Sequence, residues 1–170
     1  MKTVLFYLIV LLSYLSVSGY GLMFNKKIFK RFYKDDNFFE LLNFVLGIIT
    51  LSILGYLFFL LSITNIFVNL GILILGLFLF FLNNKSIKIN KLFINSAILI
   101  LIFTGLIISK THEDFIPYHF PFIEIITNSD AILGIGKIEI NYVYTPFIAY
   151  LQKIFVIPFL SYKMVHVPIF

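Results

Sequence analysis

The chain has 170 residues, of which 61% are hydrophobic and 12% are charged, and its mean hydropathy is +1.03. Soluble domains carry about 25% charged residues, so this composition excludes an ordinary soluble protein and predicts an all-α, multipass membrane protein. The sequence contains no cysteine, which excludes disulfides, thiol catalysis and thiolate metal sites.

Most of the positive charge is confined to two short segments. The net charge is +5, and eight of the thirteen basic residues lie in residues 25–37 and 83–91. Apolar runs flank both segments, and short basic loops of this kind stay on the cytoplasmic side of a membrane. The charge therefore predicts a topology rather than a nucleic-acid surface. We expect the lipid bilayer as a partner and no nucleic acid.

The first apolar run, Val4–Phe24, follows a lysine and has small residues near Ser16–Gly19, as a cleaved secretory signal would. The apolar core of a signal is about 7 to 15 residues long. This run is longer, and at about 1.5 Å per residue it crosses roughly 30 Å of hydrocarbon. We therefore predict a first transmembrane helix. The basic residues that follow place residues 25–37 in the cytoplasm and the N-terminus outside.

Two further apolar runs predict an antiparallel pair of spans. The second span covers Phe38–Ile63 and the third covers Ile66–Leu82, with a polar turn at Thr64 and Asn65 between them. A connection of two residues is too short to join helices that are far apart, so the two helices must lie side by side as a hairpin.

The second basic loop, residues 83–91, follows the third span and is again predicted to be cytoplasmic. A fourth span, Leu92–Ser109, then returns the chain to the outside, so residues 110–142 are external. The location indicated is a cell membrane. The predicted organisation is a four-span region over residues 1–109.

An external loop over residues 110–158 is predicted to hold two interfacial helices. Apolar residues recur near helical spacing over Pro121–Asn128, which predicts the first helix. The second is predicted over Thr145–Ile157, with Gln152 and Lys153 facing water and Pro158 ending the helix. Residues 159–170 begin a further span that the sequence does not complete, so we expect a truncated gene product or a fragment.

The external loop opens on a polar stretch with His112, Glu113, Asp114 and His119. Imidazole and carboxylate groups together bind divalent cations or transfer protons. A continuous helix would place the two histidines on one face, but Pro117 interrupts it, which disfavours a metal site. The alternative is that these residues end the fourth span and contact lipid headgroups. The sequence has no P-loop, GxGxxG or HExxH motif.

The stretch THEDFIPYHFPF from Thr111, followed by Ile135-Gly136-Lys137 and by YTPF from Tyr144, resembles the first external loop of GT-C-type glycosyltransferases. It is also similar to uncharacterised bacterial multipass proteins that have an acidic pair, a Tyr-His and a Gly-rich loop in this order. The resemblance covers Thr111–Pro158. The spans and the external domain that complete such enzymes are absent from the sequence, so we expect an inactive N-terminal portion.

The resemblance implies sugar transfer from a polyprenyl-phosphate donor at the external face of the bacterial inner membrane. Of the acidic pair, Asp114 is the expected catalytic base and Glu113 a tether or metal contact. The expected substrate contacts are His112, Tyr118 and His119. A phosphate leaving group needs no general acid, so one carboxylate that deprotonates the acceptor hydroxyl suffices. The resemblance implies no specific cofactor, and a divalent cation bound at the acidic pair is the candidate.

Two other functions stay open. A non-enzymatic multipass protein with a structural or assembly role would use small residues such as Gly47, Ser52 and Gly55 for close helix packing. A transporter is disfavoured because no charged residue lies near the middle of the first four predicted spans, where ion pathways usually require one.

Overall fold

The computed structural model describes residues 2–28, 36–63, 65–83, 98, 101, 119–131, 147–158 and 162. These residues are all-α, as the composition predicts. Their helices are α1 (Lys2–Ile28), α2 (Asp36–Leu60), α3 (Ile66–Asn83), α4 (Phe120–Asn128) and α5 (Ile148–Ile154).

Three of these helices are long and apolar enough to cross a membrane. The candidate spans are Tyr7–Lys26, Leu42–Leu60 and Ile66–Asn83, of 20, 19 and 18 residues. At about 1.5 Å per residue these lengths match the hydrocarbon thickness of about 30 Å. The first three predicted spans are thus confirmed as long apolar helices. The fourth, Leu92–Ser109, lies outside the described residues apart from two positions.

The basic segment that follows the first span begins inside a helix. α1 continues to Ile28, so Lys26 is helical, and its ammonium donates a hydrogen bond to the backbone carbonyl of Asn83. The predicted start of the loop at residue 25 is therefore wrong by about one helical turn. A lysine near the end of a helix can remain helical when its ammonium finds a polar partner, as that of Lys26 does here. The remainder of residues 25–37 and 83–91 lies mostly outside the described residues.

The α2–α3 turn is fixed by capping at both helix ends. Ser62 has a φ of 56°, and its N–H donates to the carbonyl of Phe59 at 3.0 Å while that of Ile63 donates to Phe58 at 2.8 Å. This pair of bonds is a Schellman motif. Asn65 then starts α3, since its side-chain oxygen accepts from the N–H of Phe67 at 2.8 Å. The predicted turn is confirmed at Asn65.

One compact unit comprises Met1–Gly47 and Ile74–Thr111. Its helices approach to backbone contact: a Cβ added at Gly19 of α1 would overlap the Gly76 carbonyl of α3, and one at Gly21 would overlap the Asn43 carbonyl of α2. The core beside these contacts consists of Leu15, Leu22 and Phe80, flanked by Tyr14 and Leu77. Glycine is required at these positions because no other residue lets the helix backbones come so close.

A second compact unit comprises Ile48–Leu73 and His112–Phe170. Its described part contains the end of α2, the α2–α3 turn, the start of α3, α4, and α5 with the residues that follow it. Seven buried side chains from these elements form one core: Phe59, Phe122, Ile123, Ile126, Ala149, Tyr150 and Val156. Gly55 of α2 meets the backbone of Tyr150 and the side chain of Ile154 in α5. We call this the hairpin-end core.

The two short helices in this unit match their predictions unequally. α4 begins at Phe120 rather than Pro121, and the proline sits in the first turn, where its missing N–H is harmless. α5 is shorter than the predicted Thr145–Ile157. It ends at Ile154, four residues before Pro158, because the N–H groups of Phe155 and Val156 turn back to the carbonyls of Gln152 and Lys153, each at 3.0 Å.

Candidate functional site: a buried lysine at the hairpin end

Of the predicted site residues, the structure describes His119. It immediately precedes α4 with helical backbone angles (φ −74°, ψ −42°), and its side chain is exposed. His112, Glu113, Asp114 and Tyr118 lie outside the described residues, so their predicted roles stay predictions.

The described residues contain no group of three or more histidine, aspartate or glutamate side chains that could hold a metal ion. Their carboxylates near α4 belong to Glu124 and Asp130, both exposed. The predicted candidate cation site depends on the acidic pair at Glu113 and Asp114, and it therefore stays a prediction.

Side-chain contacts fasten α4 in place at both of its ends. At its start, the ring of Phe120 contacts that of Tyr162 with centroids 5.2 Å apart. At its end, Asn128 donates to the Tyr162 hydroxyl at 2.8 Å. Beyond the helix, the N–H of Ala131 donates to the Ser62 hydroxyl in the α2–α3 turn at 3.2 Å. The predicted external segment is thus attached to the hairpin end.

The segment around α5 is buried on all sides. Every residue from Ala149 to Pro158 is buried, including the polar side chains of Gln152 and Lys153. A seven-residue helix is marginal by itself, so its stability must come from this packing.

Asn69 supplies the polar partner that this buried helix end requires. Its side-chain amide donates to the backbone carbonyl of Lys153 at 3.0 Å and to that of Val156 at 2.9 Å. Asn69 is itself only 4% exposed. The Lys153 carbonyl also accepts from the N–H of Val156, so Asn69 matters most to the buried Val156 carbonyl, which would cost about 1 to 3 kcal/mol if it were unsatisfied.

The ammonium of Lys153 has no comparable partner. The side chain is 2% exposed, and Nζ makes no hydrogen bond within the described part of the chain. It lies 5.5 Å from the centroid of the Phe59 ring, a cation–π distance. Burial lowers the pKa of Lys153 to about 8, because desolvation disfavours the charged form. The group is still mostly protonated at neutral pH.

Comparison with protein-family models, with curated proteins and with solved structures found no match to this chain.

The prediction that Gln152 and Lys153 face water is wrong. It assumed a helix with one open face, whereas the hairpin-end core and its surroundings cover α5 on every side. The role of Asn69 was missed as well. The sequence does contain a signal for this role: Asn69 is a polar residue inside a predicted span, and such residues usually have a packing or functional partner.

Proposed function

We propose that this chain is an integral membrane protein that contributes to sugar transfer from a polyprenyl-phosphate donor at the external membrane face. In this proposal it corresponds to the N-terminal portion of a GT-C-like glycosyltransferase. The observation that supports it is the docking of α4 and α5, the two helices of the predicted external loop, into the hairpin-end core.

A simple connector between spans needs no core of its own. Reactive residues are commonly placed on loops that a rigid scaffold positions, and the hairpin-end core is such a scaffold. Four residues lie between Asp114 and His119 at the start of α4, and five steps of about 3.5 Å keep their Cα atoms within about 18 Å of each other. The proposal requires the acidic pair to lie beside this scaffold.

The chemistry assigned to the acidic pair is a single displacement. Asp114 accepts the proton of the acceptor hydroxyl, whose oxygen forms a bond to the anomeric carbon of the sugar. The bond between that carbon and the phosphate oxygen breaks, and the polyprenyl phosphate departs with the electron pair. Glu113 holds the donor, either directly or through a divalent cation.

The test compares Asp114→Asn with Asp130→Asn, an exposed carboxylate in the same unit. Binding of polyprenyl phosphate is measured on the purified chain. Transfer of labelled sugar is measured in membranes that contain the chain together with any in-frame continuation of its gene. We expect Asp114→Asn to lower transfer by about 100-fold or more, as loss of a general base does, while donor binding and the Asp130→Asn variant stay unchanged.

Equal transfer by both variants would remove Asp114 from its assigned role. A chain that binds no polyprenyl phosphate and supports no transfer would instead favour the non-enzymatic, structural role.

A further inference from the structure

The buried ammonium of Lys153 requires an explanation of its own. A charged group without a hydrogen-bond partner in a protein interior is strongly unfavourable, and an ion or ligand supplied from outside is one of the recognised explanations. The described carboxylates of this unit are not counter-ions of Lys153, because Glu124 and Asp130 are exposed and neither pairs with it. Among the residues that the structure describes, the ammonium therefore has no carboxylate partner, and an external anion fits that place.

The position of Lys153 along the spans indicates which anion it meets. Its Nζ lies over Phe59, in the last turn of α2, and its backbone carbonyl is bound by Asn69, in the first turn of α3. At about 1.5 Å per residue these positions are about 2 Å and about 5 Å from the ends of the two helices. Lipid phosphates lie just outside this level, where hydrocarbon meets the headgroups.

The surface next to α5 suits acyl chains. Tyr56, Leu57 and Leu60 of α2 are exposed, and the Tyr56 ring packs edge-on against Tyr150 of α5 with centroids 5.0 Å apart. Exposed apolar side chains at the end of a candidate span, beside one buried cation, complement a molecule with an anionic head and apolar tails.

We propose that Lys153 binds the phosphate of an anionic bilayer lipid, with the lipid's acyl chains against Tyr56, Leu57 and Leu60. In this proposal the ammonium, which is enclosed over Phe59 in the lipid-free protein, turns away from that ring on its long, flexible side chain to meet the phosphate at the headgroup level. The ammonium then leaves the uncharged Phe59 ring and contacts a negatively charged phosphate oxygen. The inference does not rest on sugar transfer, since a bilayer phospholipid carries no sugar to be transferred.

The experiment measures binding of phosphatidylglycerol to the purified full chain in detergent by native mass spectrometry. Phosphatidylcholine is the zwitterionic comparison, and inorganic phosphate is the lipid-free source of the same anion. The variants are Lys153→Met, which removes the charge at similar length, and Lys153→Arg, which keeps it. Lys163→Met removes an equal charge ten residues further along the same compact unit.

We expect Lys153→Met to weaken phosphatidylglycerol binding about tenfold or more, because a charge-assisted hydrogen bond is lost. Lys153→Arg should retain binding, and Lys163→Met should change it by no more than about twofold. Because methionine suits a buried apolar site, we expect Lys153→Met to fold. Lys153→Arg tests the requirement for a positive charge independently.

Three results would overturn the proposal. Unchanged binding by Lys153→Met would remove the residue from any lipid site. An equal loss in Lys163→Met would indicate general charge attraction. Inorganic phosphate that binds as well as phosphatidylglycerol would identify a free anion, not a lipid, as the occupant.

Discussion

Replacing Lys153 by methionine should stabilise the protein in a detergent without anionic lipid. The pKa of Lys153 falls from 10.5 to about 8 on burial. Each unit corresponds to about 1.4 kcal/mol, so the charged lysine lowers the free energy of unfolding at pH 7 by at most about 3 kcal/mol. Relaxation of the side chain and entry of water reduce this penalty, and we expect the variant to gain about 1 to 3 kcal/mol.

The gain should depend on pH with a definite sign. Between about pH 8 and pH 10.5 the folded protein has released the Lys153 proton while the unfolded chain still binds it. The wild type therefore gains stability relative to the variant as pH rises through this window, and the difference disappears above it. Below about pH 8 the penalty is present in full.

Steric trapping in neutral detergent micelles measures the free energy of unfolding of both proteins at several pH values. Taking the difference between them cancels the titration of the other lysines and tyrosines. A methionine variant that is less stable than wild type at pH 7 would refute the reasoning, since it would show that the ammonium has a stabilising partner.

Three further predictions concern the helix contacts and the topology. Asn69→Leu should lower the free energy of unfolding by about 1 to 3 kcal/mol, because the buried Val156 carbonyl loses its donor while the Lys153 carbonyl keeps the N–H of Val156, and steric trapping measures this. Gly19→Ala should destabilise by about 1 to 3 kcal/mol through overlap with the α3 backbone, whereas Gly71→Ala, with open space around it, should change stability by less than about 1 kcal/mol. Similar values for the two alanine variants would contradict the close contact. In intact cells, a membrane-impermeant thiol reagent should label Glu113→Cys and not Lys30→Cys, and the reverse pattern would invert the predicted topology.

The long helices could be predicted because their signal is local. An apolar run of the right length, bounded by charge, predicts a membrane-spanning helix without knowledge of its neighbours, and α2 and α3 match their predicted spans to within three residues at each end. The same holds for α4, where Pro121 and the helical spacing of apolar residues indicate the start and the buried face.

The surroundings of α5 could not be predicted in this way. Its sequence shows two polar residues side by side, which is typical of a helix with a wet face. The structure instead covers that face, and the partner of the helix end, Asn69, is 84 residues away from Lys153 in the chain. The close contact of Gly19 with α3 could not be predicted either, because a glycine in a span does not indicate which helix backbone lies against it.

Of the four spans that the sequence by itself predicted, three lie within the described residues as apolar α-helices long enough to cross a membrane, because hydropathy and helix length are properties of a single segment. Only the tertiary structure decided which polar groups are buried together. Burial depends on neighbours distant in sequence, and it makes Lys153, which the sequence pattern places in water, a cation enclosed at the hairpin end.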